Sequence, residues 1–175
     1  MRRWVWRVLL IVAVMAALTV GAAAADTIVT ENGIKYNLTT GTVVGPVNKD
    51  GPVSILVKAS VNGTPITSIA ESAFNGCGKL RTVEIESGIT AIGPSAFNSC
   101  PLLETVLFPD TITAIDSFAF ANCVKLNKVV MPPLVTTIKS GTFAGCTSLS
   151  SIYIGSVGSV EADAFSDTKV KYLHC

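Results

Sequence analysis

The chain has 175 residues, of which 49% are apolar and 14% charged, and its formal net charge is +1. So apolar and sparsely charged a composition argues against disorder, and near-neutrality without a Lys/Arg block argues against nucleic acid as a partner. A single histidine, His174, leaves little for a histidine-built metal site or a Ser-His-Asp triad, so one folded, non-catalytic domain without metal or cofactor is expected.

Residues 1–25 read as a secretory signal peptide. Arg2, Arg3 and Arg7 form a positive leader, Val8 to Val20 an apolar run, and Gly21 to Ala25 a small-residue cleavage stretch before Asp26. Cleavage there would remove three arginines and leave a slightly acidic chain. The alternative is retention as a short anchor over Val8–Ala25, the minimum length for a bilayer span; membrane contact is expected only in that case. No lipid-modifiable Cys stands at the cleavage point, and no wall-sorting tail is recognised at the C-terminus.

Residues 26–60 are expected to form an N-terminal β-hairpin cap. Gly33-Ile34-Lys35-Tyr36-Asn37-Leu38 alternates, Thr39 to Thr42 reads as a turn, and Val43-Val44 and Ser54–Val57 are β-rich before an Asn62-Gly63 turn.

Residues 61–175 are governed by a repeat. Phe74, Phe97, Phe120, Phe143 and Phe165 recur at spacings of 23, 23, 23 and 22 residues. Five residues before each stands Ile69, Ile92, Ile115, Ile138 or Val160, and three earlier Ile66, Ile89, Ile112, Val135 or Val157. After the first four come Cys77, Cys100, Cys123 and Cys146, then Leu80, Leu103, Leu126 and Leu149. Next stand Val83, Val106, Val129 and Ile152, and two residues on, Ile85, Phe108, Met131 and Ile154. Such a unit cannot bury its apolar edge alone, so the copies must stack as a solenoid. The Leu-x-x-Val-x-Ile half alternates with period two and predicts a parallel strand, with Val83 and Ile85 inward and Thr82 and Glu84 outward. Pro109, Pro132 and Pro133 follow strands, where a missing N–H costs least. Ile-x-x-Ile predicts a second short strand, and Ala-Phe-x-x-Cys a short turn or a single helical or 3₁₀ turn on the convex side. Val170, Leu173 and Cys175 repeat the strand spacing and predict a terminal half-rung after about four full units.

The unit Leu-x-x-Val-x-Ile-Pro…Ile-x-x-Ile-x-x-x-Ala-Phe-x-x-Cys-x-x-Leu, carried by residues Ile66 through Ile154, resembles the BspA-like (Treponema pallidum-type) leucine-rich repeat. The leader Gly33-Ile-Lys-Tyr and Val61-Asn-Gly-Thr-Pro-Ile-Thr-Ser-Ile is similar to that family's opening segment. The resemblance implies a right-handed curved leucine-rich-repeat solenoid, absence of enzymatic activity, and a secreted or cell-surface protein associated with adhesion. It implies no fixed ligand and transfers no binding residue. The array is short for the family, and no anchoring module is recognised.

The periodic cysteines would stack near strand spacing, ~4.8 Å. Neighbours are then within disulfide reach, yet an inward ladder reusing one slot also suits free thiols acting as small hydrophobes. Cys175 is a candidate for pairing between chains. The outward rows of the main sheet, on the expected concave face, are the candidate ligand surface: Thr82, Thr105, Lys128 and Ser151 in one, Glu84, Leu107, Val130 and Tyr153 in the other. The last three would expose an apolar patch of the kind found at contact surfaces. A protein or glycan is the expected ligand; the rival expectation is a structural component that self-associates through its C-terminal sheet edge. Asn37-Leu-Thr and Asn62-Gly-Thr match the glycosylation sequon, and Glu161, Asp163 and Asp167 form a weak candidate cation loop. His174 and Cys175, adjacent on a strand, would face opposite sides and not form a nucleophilic pair.

Overall fold

The computed structural model describes residues 25–171 and the backbone of Leu173–His174; the signal segment and Cys175 lie outside the described residues, apart from Ala25. Strands β1 (Ile28–Glu31) and β2 (Ile34–Asn37) form an antiparallel hairpin across Asn32 and Gly33. These two residues have φ of 49° and 77°, the left-handed pair whose twist suits a two-residue hairpin. β3 (Thr42–Pro46) adds antiparallel to β2. β4 (Ser54–Val57) follows, and β5 (Ser60–Val61) and β6 (Thr64–Pro65) make a second hairpin over Asn62-Gly63.

From there two parallel ladders alternate along the chain, giving a β-solenoid of about five turns. The side ladder comprises β7 (Ser68–Ile69), β9 (Ala91–Ile92), β11 (Ala114–Ile115), β13 (Thr137–Ile138) and β15 (Ser159–Val160). The main ladder comprises β8 (Thr82–Ile85), β10 (Thr105–Leu107), β12 (Lys128–Val130), β14 (Ser151–Tyr153) and β16 (Leu173–His174). β4 pairs in parallel with β8, so the main ladder starts inside the segment read as the cap. β3 likewise pairs with β7 and joins the hairpin to the side ladder.

The repeated side chains fill one continuous core. Phe74, Phe97, Phe120 and Phe143 are buried and Phe165 is half-buried. Their rings stack with centroids 5.0, 5.2, 5.8 and 5.7 Å apart. Val160, expected inward, is exposed, because no described strand covers β15 on its far side. Cys77, Cys100, Cys123 and Cys146 are buried and free. The Cys100, Cys123 and Cys146 thiols donate to the carbonyls of Phe74, Phe97 and Phe120 in the preceding rung, at 3.1, 3.2 and 3.1 Å. The slot therefore needs a small apolar residue that also carries a weak donor. Thr142 stands where other rungs have Ala, and its hydroxyl is satisfied by the Lys139 carbonyl at 2.7 Å.

The Ala-Phe-x-x-Cys segments take the short-turn form, not the helical or 3₁₀ one. The residues two before and two after each Phe have positive φ: Ser72 and Gly76, Ser95 and Ser99, Phe118 and Asn122, Gly141 and Gly145, Asp163 and Asp167. Such residues interrupt the consecutive right-handed φ a 3₁₀ run needs. Alternate N–H groups then bond within the turn, as Cys77 to Phe74, and across to the next rung, as Phe74 to Ala96 at 2.7 Å and Phe97 to Ala119 at 2.8 Å. Ser, Asn, Asp and Gly at these positions are the sequence signal for this turn. Phe118 is the exception, and its ring lies where a Cβ on Gly141 would sit.

The expected unbroken main sheet is interrupted once. β4, β8 and β10 form one three-stranded sheet and β12, β14 and β16 another, and the side ladder breaks at the same level between β11 and β13. The Phe turns remain joined across this level, with Phe118, Phe120 and Asn122 donating to Ser140, Thr142 and Ala144. The Asp116–Lys139 ion pair, at 3.0 Å, also spans it. The two halves are thus held along the Phe column and part at the strands. Pro109 and Pro132 occupy equivalent places, yet β8 and β10 remain paired, so proline alone is not the cause. At the last inward slot of the strand the two rungs that part carry Phe108 and Met131, where β8 and the rung of β14 carry Ile85 and Ile154. The Phe108 ring stands edge-on to Phe120 at 5.7 Å and 83°, and the stacking spacing widens from Phe120 onward.

Candidate binding face

Strand alternation sends Val83 and Ile85 into the core and turns Thr82 and Glu84 outward. Register then fixes their neighbours. Thr82 lies beside Thr105 and Glu84 beside Leu107, while Lys128 lies beside Ser151 and Val130 beside Tyr153. The eight positions selected from the sequence therefore form two groups of four, one on each side of the break. β4 extends the first group, with Ser54 beside Thr82 and Leu56 beside Glu84. Sequence reading missed these two. Ser54-Ile-Leu-Val alternates as Thr82-Val-Glu-Ile does, but the β5–β6 hairpin stretches the interval to 28 residues and hides it from the period.

The apolar members are open to solvent: Leu56 is 39%, Leu107 51%, Val130 57% and Tyr153 40% exposed. The Lys128 ammonium stands 5.0 Å from the Tyr153 ring centroid, a cation–π geometry that holds both side chains in place. Arg81 and Glu104 pair at 2.6 Å near the polar row. Both are nearly half exposed, so the pair is worth less than about 1 kcal/mol. Between the groups the break opens into a cleft of about 650 Å³, lined among others by Val106, Phe108, Asp110, Lys128, Met131 and Pro132. Val106 is only half-buried, unlike buried Val83, Val129 and Ile152 in the same slot.

The minor candidates resolve as local structure. Asn37 is buried, and its side-chain oxygen accepts from the N–H groups of Thr39 and Thr40 at 3.0 and 3.1 Å, so this sequon asparagine holds a turn. Asn62 is exposed at its hairpin tip. The Glu161 carboxylate accepts from Ser140 N–H at 2.9 Å and that of Asp163 from the Ser166 hydroxyl at 3.1 Å. Among the described residues no group of three or more His, Cys, Asp or Glu side chains is placed to hold a metal ion. The side chains of His174 and Cys175 lie outside the described residues.

The sequence profile of the BspA type leucine-rich repeat region matches residues 57–173, in six copies. The chain belongs to the BspA-type leucine-rich repeat family. Among solved structures, this BspA-type repeat is similar to the T. pallidum leucine-rich repeat protein, with a TM-score of 0.75 at 25% identity over 84% of this chain and 71% of that one. It is also similar to a leucine-rich cell surface protein of Faecalibacterium prausnitzii, with a TM-score of 0.64 at 23% identity over 87% of this chain and 52% of the other. A third is the pneumococcal vaccine antigen PcpA, with a TM-score of 0.67 at 19% identity over 83% and 38%. With the last two the likeness is one of fold, and this chain spans about half or less of their length. No curated protein gives a significant match. Among the described residues no helix is long and apolar enough to cross a membrane.

Proposed function

We propose that this BspA-type repeat protein is an exported, non-catalytic binding module that recognises a protein or glycan through the outward face of its main sheet. The observation that carries the reading is the exposed apolar row Leu56, Leu107, Val130 and Tyr153 on a framework of otherwise buried ladders. Leaving such side chains in water forgoes roughly 25 cal/mol per Å² that a partner would recover, and tyrosine is a common anchor of interfaces. Export is supported by the charged, apolar and small-residue layout of residues 1–25 and by the surface location of one fold relative. Adhesion is the role this face fits.

The double variant Leu107→Ser, Tyr153→Ala tests it against immobilised extracellular-matrix proteins and a glycan array. Capture of the native chain on either surface, lost in a variant with unchanged melting, supports the face and names the ligand class. Equal capture of both chains moves the site elsewhere.

A second reading is self-association. β16 is paired on one side only, with β14, among the described strands, and an open parallel edge accepts another strand. A mass by light scattering that stays monomeric through a concentration series removes this reading.

A further inference from the structure

We propose that Cys77 is a site of thiol–disulfide exchange with a small external disulfide, and that Cys100 completes the exchange to leave a disulfide across the first two Phe rungs. The proposal is independent of the outward rows and concerns the capped end of the cysteine column. Cys100, Cys123 and Cys146 each donate to the Phe carbonyl of the rung before. Cys77 has no Phe rung before it, and among the described residues its thiol donates to no carbonyl. It borders instead a cavity of about 10 Å³, lined among others by Ile55, Phe74 and Leu80 and by Lys49 and Pro52 of the loop between β3 and β4. That is room for at most about one water, so a reagent enters only when the loop moves. Among the described residues, residues 48–52 of this loop hydrogen-bond only to one another, Gly51 N–H to the Asn48 carbonyl and Asp50 N–H to the Asn48 side chain. Raising them breaks no hydrogen bond to the solenoid, so the loop opens at a fraction of the cost of unfolding.

The pair also sits where the rungs are closest. Phe74 and Phe97 stack at 5.0 Å, whereas Phe120 and Phe143, on the rungs of Cys123 and Cys146, stand 5.8 Å apart. A rung spacing near ~4.8 Å lies inside the roughly 4.4–6.8 Å between Cα atoms that a disulfide needs. The Cys100 thiol holds the Cys77 thiol below its usual value against the effect of burial, and Lys49 adds to the lowering while Asp50 opposes it. The attacking thiolate therefore forms at Cys77. It attacks one sulfur of a disulfide RSSR and expels RS⁻, which takes up the proton that Cys77 gave to water. The Cys100 sulfur then loses its proton, attacks the Cys77 sulfur of the mixed disulfide and expels the second RS⁻, which is protonated in turn. The protein is oxidised from two thiols to one disulfide, and the external disulfide is reduced to two thiols. Cys77 is the first cause that raises the Cys100 thiol, and the mixed disulfide removes that cause before Cys100 has to react.

The test treats the reduced full chain with oxidised glutathione in the absence of denaturant, quenches with acid and maps the cysteine peptides by mass spectrometry. The expected result is a Cys77–Cys100 disulfide, preceded by glutathione on Cys77, while Cys123 and Cys146 stay reduced. Cys77 is expected to react at least about a hundredfold faster than Cys123, because local opening exposes the one and only unfolding exposes the other. Cys100→Ser is expected to trap glutathione on Cys77, since no second thiol displaces it. Cys77→Ser is expected to leave Cys100 as slow as Cys123. Comparable rates at Cys77 and Cys123, a Cys123–Cys146 disulfide formed as fast, glutathione that persists on Cys77 of the native chain, or no reaction overturns the proposal. If Cys100→Ser fails to fold, mapping of the native chain decides alone.

Discussion

Replacing Phe120 with alanine measures how strongly one rung depends on the next. Phe120 is fully buried. It stacks on Phe97 at 5.2 Å and Phe143 at 5.8 Å, and takes the edge of Phe108 at 5.7 Å. Truncating a buried Phe costs about 3–5 kcal/mol in lost transfer energy and cavity. Three ring contacts, each worth roughly 0.5–1.5 kcal/mol beyond area, place this site at the upper end, about 5 kcal/mol. Phe165 is half-buried and has one described ring neighbour, Phe143 at 5.7 Å, so its truncation is expected to cost about 2 kcal/mol. The difference, about 3 kcal/mol, is large beside a domain stability of roughly 5–15 kcal/mol. Urea unfolding followed by far-ultraviolet circular dichroism reads it as a midpoint separation of about 1.5 M for a slope near 2 kcal/mol/M. Two variants within about 0.5 kcal/mol of each other would refute nearest-neighbour coupling through the Phe column.

Two further outcomes follow from named contacts. The Cys77 thiol and burial push the Cys100 thiol up, and Cys146 and burial do the same to Cys123, so iodoacetamide at about pH 8 should leave Cys100 and Cys123 unmodified until urea is added. Mass spectrometry checks this, and native alkylation at Cys100 or Cys123 contradicts it. Burial pushes the Asp116 carboxyl up, but hydrogen bonds from Lys139 and from Ser117 N–H outweigh it and hold it below the usual range. A depressed carboxyl stabilises the fold above its unfolded value of about 3.9 and loses that contribution as pH falls through the folded one. Both partners are more than one-third exposed, so Asp116→Asn should cost less than about 1 kcal/mol at neutral pH. In thermal melts the difference should vanish in acid, and one that grows there contradicts the sign.

The ladders are legible in the sequence because each rung repeats the same local instruction. Val83 and Ile85, Val129 and Met131, and Ile152 and Ile154 are buried at positions read from period and alternation alone. Of the two forms expected beside each Phe, a short turn or a helical or 3₁₀ turn, the structure has the first, because Ser72, Gly76, Asp163 and Asp167 take left-handed φ that a five-residue apolar motif does not reveal. β4 is not marked by the repeat because the inserted β5–β6 hairpin breaks the period.

Composition and spacing by themselves settle that stacked parallel strands form and most of the side chains that enter the core, since those depend on residues close in sequence. Whether one rung pairs with the next is decided at longer range. Phe108 meets Phe120 from another side of the same turn, and β10 and β12 part beside this contact while the Phe column still holds. That contact joins segments whose separate patterns look regular. The tertiary structure alone therefore places the cleft, divides the outward face into two groups, and adds Ser54 and Leu56 to the first.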